Sequence, residues 1–120
     1  MDPYQASKKT EEICRLAPVI PVLVVHNPDI AKPLAEALIS GGLPVLEVTL
    51  RTESALDVIS EMAKIPGGVV GAGTITKAKD VKDAINAGAN FAVSPGSTDN
   101  ILEACEQQNL PILPGAATSS

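Results

Sequence analysis

The chain has 120 residues, enough for one hydrophobic core and too few for two ordinary domains. Apolar residues make up 45% and aromatics 2%, which excludes a disordered chain and leaves no stacking platform for single-stranded nucleic acid. A formal charge of −5 argues against phosphate-backbone binding, and no apolar run approaches the roughly 18 residues that span a bilayer.

The first residues are polar (Asp2, Lys8, Lys9, Glu11, Glu12) and lack the apolar stretch of a signal peptide. Tyr4 to Leu16 reads as a short leading helix. Cys14 and Cys105 lie far apart, with no CxxC and no His beside either. They read as reduced thiols of a cytoplasmic protein, and a single His, His26, leaves no metal constellation.

Five short apolar runs follow: Val19–Val25, Leu43–Thr49, Gly68–Ala72, Asn90–Ser94 and Leu110–Leu113. Their centres at Val22, Leu46, Val70, Ala92 and Ile112 are 24, 24, 22 and 20 residues apart. Helical stripes lie between them. Ile30, Leu34, Ala37 and Leu38 end at Gly41-Gly42, and Ala55, Leu56, Ile59 and Met62 follow a start near Thr52 or Glu53. Ala78, Val81, Ala84 and Ile85 stop at Gly88. Ile101, Leu102 and Cys105 follow Thr98 or Asp99 as N-cap.

Strand and helix alternating at this spacing predict a parallel α/β sheet. An open doubly wound sheet fits about 120 residues, whereas a complete eight-stranded barrel needs roughly 250. The ending favours part of a barrel. After the fifth run come Pro114-Gly115-Ala116-Ala117-Thr118-Ser119-Ser120 and no covering helix. The expected organisation is one domain over 1–120. Residues 1–16 form the leading helix, 17–115 the five βα repeats, and 116–120 the start of a further helix.

The second run carries the chemistry. In Val45-Leu46-Glu47-Val48-Thr49-Leu50-Arg51-Thr52, a period of two puts Leu46, Val48 and Leu50 on one face and Val45, Glu47, Thr49 and Arg51 on the other. Burying an acid and a guanidinium is costly unless they are paired or used. Together they suit a site that grips a carboxylate and moves a proton. Gly71-Ala72-Gly73-Thr74 after the third run reads as a tight turn, or as a source of backbone N–H groups and the Thr74 hydroxyl. It lacks the third glycine of a dinucleotide fingerprint. Ser94-Pro95-Gly96 and Pro114-Gly115 read as stops to the ladder. Glu47, Arg51, Thr74 and Pro95 nevertheless fall at the C-terminal ends of consecutive strands, the edge where parallel α/β folds build sites.

The runs Val19-Ile20-Pro21-Val22-Leu23-Val24-Val25, Gly41-Gly42-Leu43-Pro44-Val45-Leu46-Glu47-Val48-Thr49-Leu50-Arg51-Thr52 and Val70-Gly71-Ala72-Gly73-Thr74, followed by Ser94-Pro95-Gly96 and Pro114-Gly115, resemble the 2-keto-3-deoxy-6-phosphogluconate and 4-hydroxy-2-oxoglutarate aldolases in order and spacing. The resemblance covers roughly Leu16 to Thr118. It implies a (β/α)8 TIM barrel, usually trimeric, of which this chain carries about the first five strands. It also implies Schiff-base cleavage of a small 2-keto acid with neither metal nor cofactor. The substrate would be the keto-deoxy acid phosphate, giving pyruvate and glyceraldehyde 3-phosphate, or 4-hydroxy-2-oxoglutarate, giving pyruvate and glyoxylate. By position, Glu47 resembles the general acid/base. Arg51 and Thr74 resemble the residues that hold the pyruvate carboxylate, and Pro95 resembles a residue lining the pocket.

The family's Schiff-base lysine lies on the sixth strand, and its phosphate is held by loops after the seventh and eighth. Both would follow Ser120. Lys8, Lys9, Lys32, Lys64, Lys77, Lys79 and Lys82 all fall in expected helices or loops, where nothing desolvates an amine. The chain alone is therefore expected to be inactive. His26 reads as a solvated histidine at the end of the first strand. Two further readings stand beside the aldolase: a non-catalytic half-barrel that pairs through its edges, and a self-contained sheet binding an anion at Gly71 to Thr74.

Overall fold

The computed structural model describes residues 1–118. Helix α1 (Pro3–Cys14) starts at a reciprocal cap. The Gln5 amide donates to the Asp2 carboxylate at 2.8 Å, and Pro3 supplies the fixed φ of the first turn. It ends two residues before Leu16 and buries none of its side chains. The Thr10 hydroxyl is shared between Ala6 O at 2.9 Å and Ile112 O at 3.4 Å, so the helix leans on the last strand.

Strands β1 (Val22–Leu23), β2 (Val45–Thr49), β3 (Val69–Gly73), β4 (Phe91–Ser94) and β5 (Ile112–Pro114) alternate with helices α2 (Ala31–Ser40), α3 (Ala55–Ala63), α4 (Ala78–Ala87) and α5 (Asp99–Gln107). The helical stripes thus lie where the spacing predicts them, and a short 3-10 turn (Pro28–Ile30), capped by Asn27, precedes α2. Helix α4 stops at Gly88, whose φ of 106° lies in the left-handed region that glycine alone enters without strain. Helix α5 is capped by the Thr98 hydroxyl, which accepts from the Ile101 amide. Helix α3 starts two to three residues past the expected Thr52 or Glu53, at Ala55. Ser54 stands at its N-cap without a side-chain bond, and the Thr52 hydroxyl before it donates to Val25 O at 3.0 Å.

The first strand is shorter than its apolar run. Of Val19–Val25 only Val22 and Leu23 lie in the β1 ladder, with the Glu47 amide donating to Pro21 O at 3.0 Å just before it. Pro114 lies inside β5 as its last residue. The expected helix start over 116–120 is not formed as far as Thr118, which sits in a bend, and Ser119 and Ser120 lie outside the described residues.

All neighbouring strands are parallel, and their order is β1-β2-β3-β4-β5. A doubly wound sheet must reverse its order to put helices on both faces, and this one never does. With right-handed crossovers, an unreversed order puts every helix on one face. Leu46, Val48, Val70, Ala72 and Ala92 pack there against Ala35, Val58, Ile59, Met62, Val81, Ala84, Ile101 and Cys105.

The other face follows from the register. Val22 pairs with Glu47, Glu47 with Gly71, and Gly71 with Phe91, so these four positions form one row. Val45 and Phe91 are buried on this second face, outside the helix-side core. Val22 and Val24, 59% and 47% exposed, lie open at its edge. A one-layered winding with an apolar concave face is the geometry of a β/α barrel wall.

Candidate active site

Strand β2 buries all five of its residues, Glu47 and Thr49 included; helices cover one face, and on the other Glu47 folds down over Gly73 of β3. Glu47 is only 9% exposed. Burial pushes its carboxyl pKa above the ordinary value, and the Arg51 guanidinium pulls it partway back. A carboxyl whose proton is held more tightly than usual is chemically suited to both taking and returning a proton.

What makes room for it is glycine. A Cβ on Gly73 would overlap the Glu47 Oε2 atom and stand 2.9 Å from Cδ, so the acid lies flat across the end of β3. One row below, a Cβ on Gly71 would strike the Phe91 ring. The expected tight turn at Gly71-Ala72-Gly73 is therefore corrected: both glycines lie inside β3, where they leave space for side chains of its two neighbours.

Thr74 follows β3 with φ of 61°, in the left-handed region that a β-branched residue avoids. Such a conformation costs on the order of 1–3 kcal/mol and persists only where its surroundings fix it. Ile75 fixes it, since its side chain is fully buried and its amide donates to Val93 O at 3.1 Å. Neither the conformation nor the use of the glycines can be read from a linear pattern. A Thr directly after a glycine-rich strand end is the only sequence signal.

Arg51 lies just beyond β2 and is exposed. Pro95, also exposed, follows β4, and its carbonyl would lie 2.5 Å from a Cβ on Gly115. The Gly115 amide donates to Ser94 O at 2.8 Å, and the Ser97 hydroxyl to Gly115 O at 2.6 Å, which lock the loops after β4 and β5 together. Glu47, Arg51, Thr74 and Pro95 thus share the C-terminal rim of the sheet. Glu47 and Arg51 are close enough to interact electrostatically.

An apolar hollow of about 460 Å³ lies elsewhere, between α1 and the α5–β5 unit. Pro3, Ala6, Thr10, Leu102, Cys105 and Ile112 line it, and none of the four rim residues does. All seven lysines are exposed, on helices or their ends, and His26 is exposed after β1. Among the described residues no three His, Cys, Asp or Glu side chains gather as a metal site would require.

Residues 10–120 match the family model described as KDPG and KHG aldolase. The chain belongs to this family. The KDPG (2-dehydro-3-deoxy-phosphogluconate) aldolase of Zymomonas mobilis is 50% identical over 92% of the chain and 53% of its own length. The KHG/KDPG aldolase of Escherichia coli K12 is 46% identical over 92% and 52%. A crystal structure of the Zymomonas mobilis ZM4 aldolase with 3-phosphoglycerate superposes with a TM-score of 0.90 at 49% identity, over 93% of this chain and 54% of that one. A Legionella pneumophila KDPG aldolase, solved with pyruvate captured as a covalent carbinolamine intermediate, gives 0.86 at 41% identity over 91% and 53%. The chain spans about half the length of the curated relatives it matches. Its four βα units and fifth strand are the N-terminal part of this family's TIM barrel.

Proposed function

We propose that this chain supplies the first five strands and the acid/base of a class I aldolase that splits 2-keto-3-deoxy-6-phosphogluconate into pyruvate and glyceraldehyde 3-phosphate. It would also act on 4-hydroxy-2-oxoglutarate. The observation that carries this reading is Glu47, an acid buried on the concave face with its pKa raised and with Arg51 beside it. The carbinolamine in the Legionella pneumophila relative supports a Schiff-base route.

In that route a neutral lysine, contributed by a strand beyond these five, attacks the C2 ketone. Loss of water gives an iminium that draws electrons from the C3–C4 bond. Glu47, through water, takes the proton of the C4 hydroxyl as that bond breaks, and the aldehyde leaves. The same carboxyl then returns a proton to C3 of the enamine, and hydrolysis frees pyruvate. Arg51 suits the substrate carboxylate because its planar fork grips two oxygens and stays charged. Thr74 adds a hydroxyl at the same rim, and Pro95 lines the pocket wall. The complete enzyme would be a cytoplasmic homotrimer that needs no metal. No helix among the described residues is long and apolar enough to cross a membrane.

The test joins the chain, after Ser120, to the second half of the Zymomonas mobilis relative. This completed barrel is expected to release pyruvate from the keto-deoxy acid phosphate, while the 120-residue chain releases none. A folded completed barrel without pyruvate release would refute the reading. It would favour an assembly module, a role for which the exposed Val22 and Val24 are the supporting observation.

A further inference from the structure

We infer that Thr52 is a positioning residue for Arg51, through a hydrogen bond that ties the β2 rim loop to the end of β1. The inference rests on the proposed role of Arg51 as the carboxylate anchor. Among the described residues Arg51 has no ion-pair partner within 4.0 Å, so no salt bridge fixes its place on the rim. Its two neighbours in sequence do. On one side the Leu50 amide donates to Gly73 O at 2.9 Å, fastening the loop to the last residue of β3. On the other, the Thr52 hydroxyl donates to Val25 O at 3.0 Å, fastening it to the segment after β1. Arg51 is thus slung between both strands that flank β2.

Three observations make the Thr52 bond more than a local turn. Val25 is only 4% exposed and lies two residues past the β1 ladder, so the hydroxyl partners a carbonyl that the ladder does not reach. Helix α3 starts just after Thr52 with no side-chain cap at Ser54, so the Thr52 hydroxyl is not part of a helix cap and serves the link to Val25 alone. Thr49, three residues earlier, makes a similar bond to the last residue of β1, its hydroxyl donating to Leu23 O at 3.3 Å. Together the two threonine hydroxyls extend the link between β2 and the first strand from its ladder to the segment beyond it. A β-branched side chain holds such a bond in few rotamers, which keeps the loop in one register.

The consequence is specific to carboxylate binding. If the bond is lost, the loop gains freedom and Arg51 has to be ordered when the substrate arrives, which weakens binding without touching the proton transfer at Glu47. The completed barrel is the test protein, with kcat, KM and melting temperature measured for Thr52→Val, Thr52→Ser, Arg51→Ala and the Arg51→Ala/Thr52→Val pair. Thr52→Val is expected to raise KM about fivefold, the equivalent of one net hydrogen bond, with kcat within about twofold. Thr52→Ser is expected to restore KM, and Thr52→Val to add nothing once Arg51 is Ala. If Thr52→Val raises KM as much without Arg51 as with it, or leaves KM unchanged while Arg51→Ala raises it, the positioning role is overturned. If Arg51→Ala itself leaves KM unchanged, the carboxylate reading falls and this inference with it.

Discussion

Replacing Gly73 by Ala tests whether catalysis depends on the glycine that lets Glu47 lie across β3. The added methyl would overlap the Glu47 carboxylate and stand 2.9 Å from its Cδ and 3.1 Å from its Cγ. Carbon atoms settle at about 3.5–4.0 Å, so the side chain must retreat by on the order of 1 Å. A displacement of that size in a reacting group costs roughly 100-fold in rate. The stability cost should be small, because the displaced atoms end a flexible side chain and alanine in a strand regains about 0.5–1 kcal/mol of backbone entropy. A melting shift of no more than about 2–4 °C is expected for a barrel of relative-like length. Gly71→Ala is the contrast. Its methyl meets the Phe91 ring, rigid and fully buried, and overpacking of this kind costs about 1–3 kcal/mol. In the completed barrel, pyruvate release coupled to lactate dehydrogenase should fall for Gly73→Ala at nearly unchanged melting temperature. Gly71→Ala should lower the melting temperature first. A Gly73→Ala protein that keeps more than half of the parent kcat would refute the reasoning.

The raised pKa of Glu47 fixes the sign of a pH effect. Burial lifts the folded-state value above the ordinary 4.5, so the folded chain binds more protons between those two values, and stability falls as pH rises through that window. Glu47→Gln should flatten this slope in urea midpoints taken from about pH 4 to about pH 7, and abolish pyruvate release by the completed barrel; an unchanged slope would count against the buried acid. Burial pushes the Cys105 thiol up to about 11 while Cys14 is exposed. A thiol reagent at about pH 8 should label Cys14 and spare Cys105, and equal labelling would contradict the packing of α5. The isolated chain leaves Val19, Val22 and Val24 exposed at 58%, 59% and 47% along the β1 edge. Light scattering should show species above 12.3 kDa, and a cooperatively unfolding monomer would contradict the half-barrel.

The repeat was legible because spacing reports it directly. Apolar runs about two dozen residues apart, with helical stripes ending at Gly41-Gly42 and Gly88, leave little besides βα units. The choice between barrel and open sheet was less secure from sequence, since it was argued from the ending. The unreversed strand order is firmer ground. Within the site, Glu47 and Arg51 stood out because a carboxylate and a guanidinium interrupt an apolar strand. Gly73 and Gly71 read as a turn, because only the register shows that Glu47 and Phe91 lie over them. Thr52 read only as lying near a helix start, because only the fold brings Val25 O to its hydroxyl. The left-handed Thr74 is invisible in sequence because Ile75 and Val93, which impose it, are distant from each other along the chain.

The central claim is that this half of a barrel holds the acid/base and the carboxylate grip but not the Schiff-base amine. Borohydride reduction in the presence of pyruvate tests it most directly, because reduction makes an iminium permanent and peptide mass mapping then locates it. The completed barrel should carry one pyruvate-derived adduct, on a lysine contributed by the joined half, and the 120-residue chain should carry none. A stoichiometric adduct on any of Lys8, Lys9, Lys32, Lys64, Lys77, Lys79 or Lys82 would contradict it.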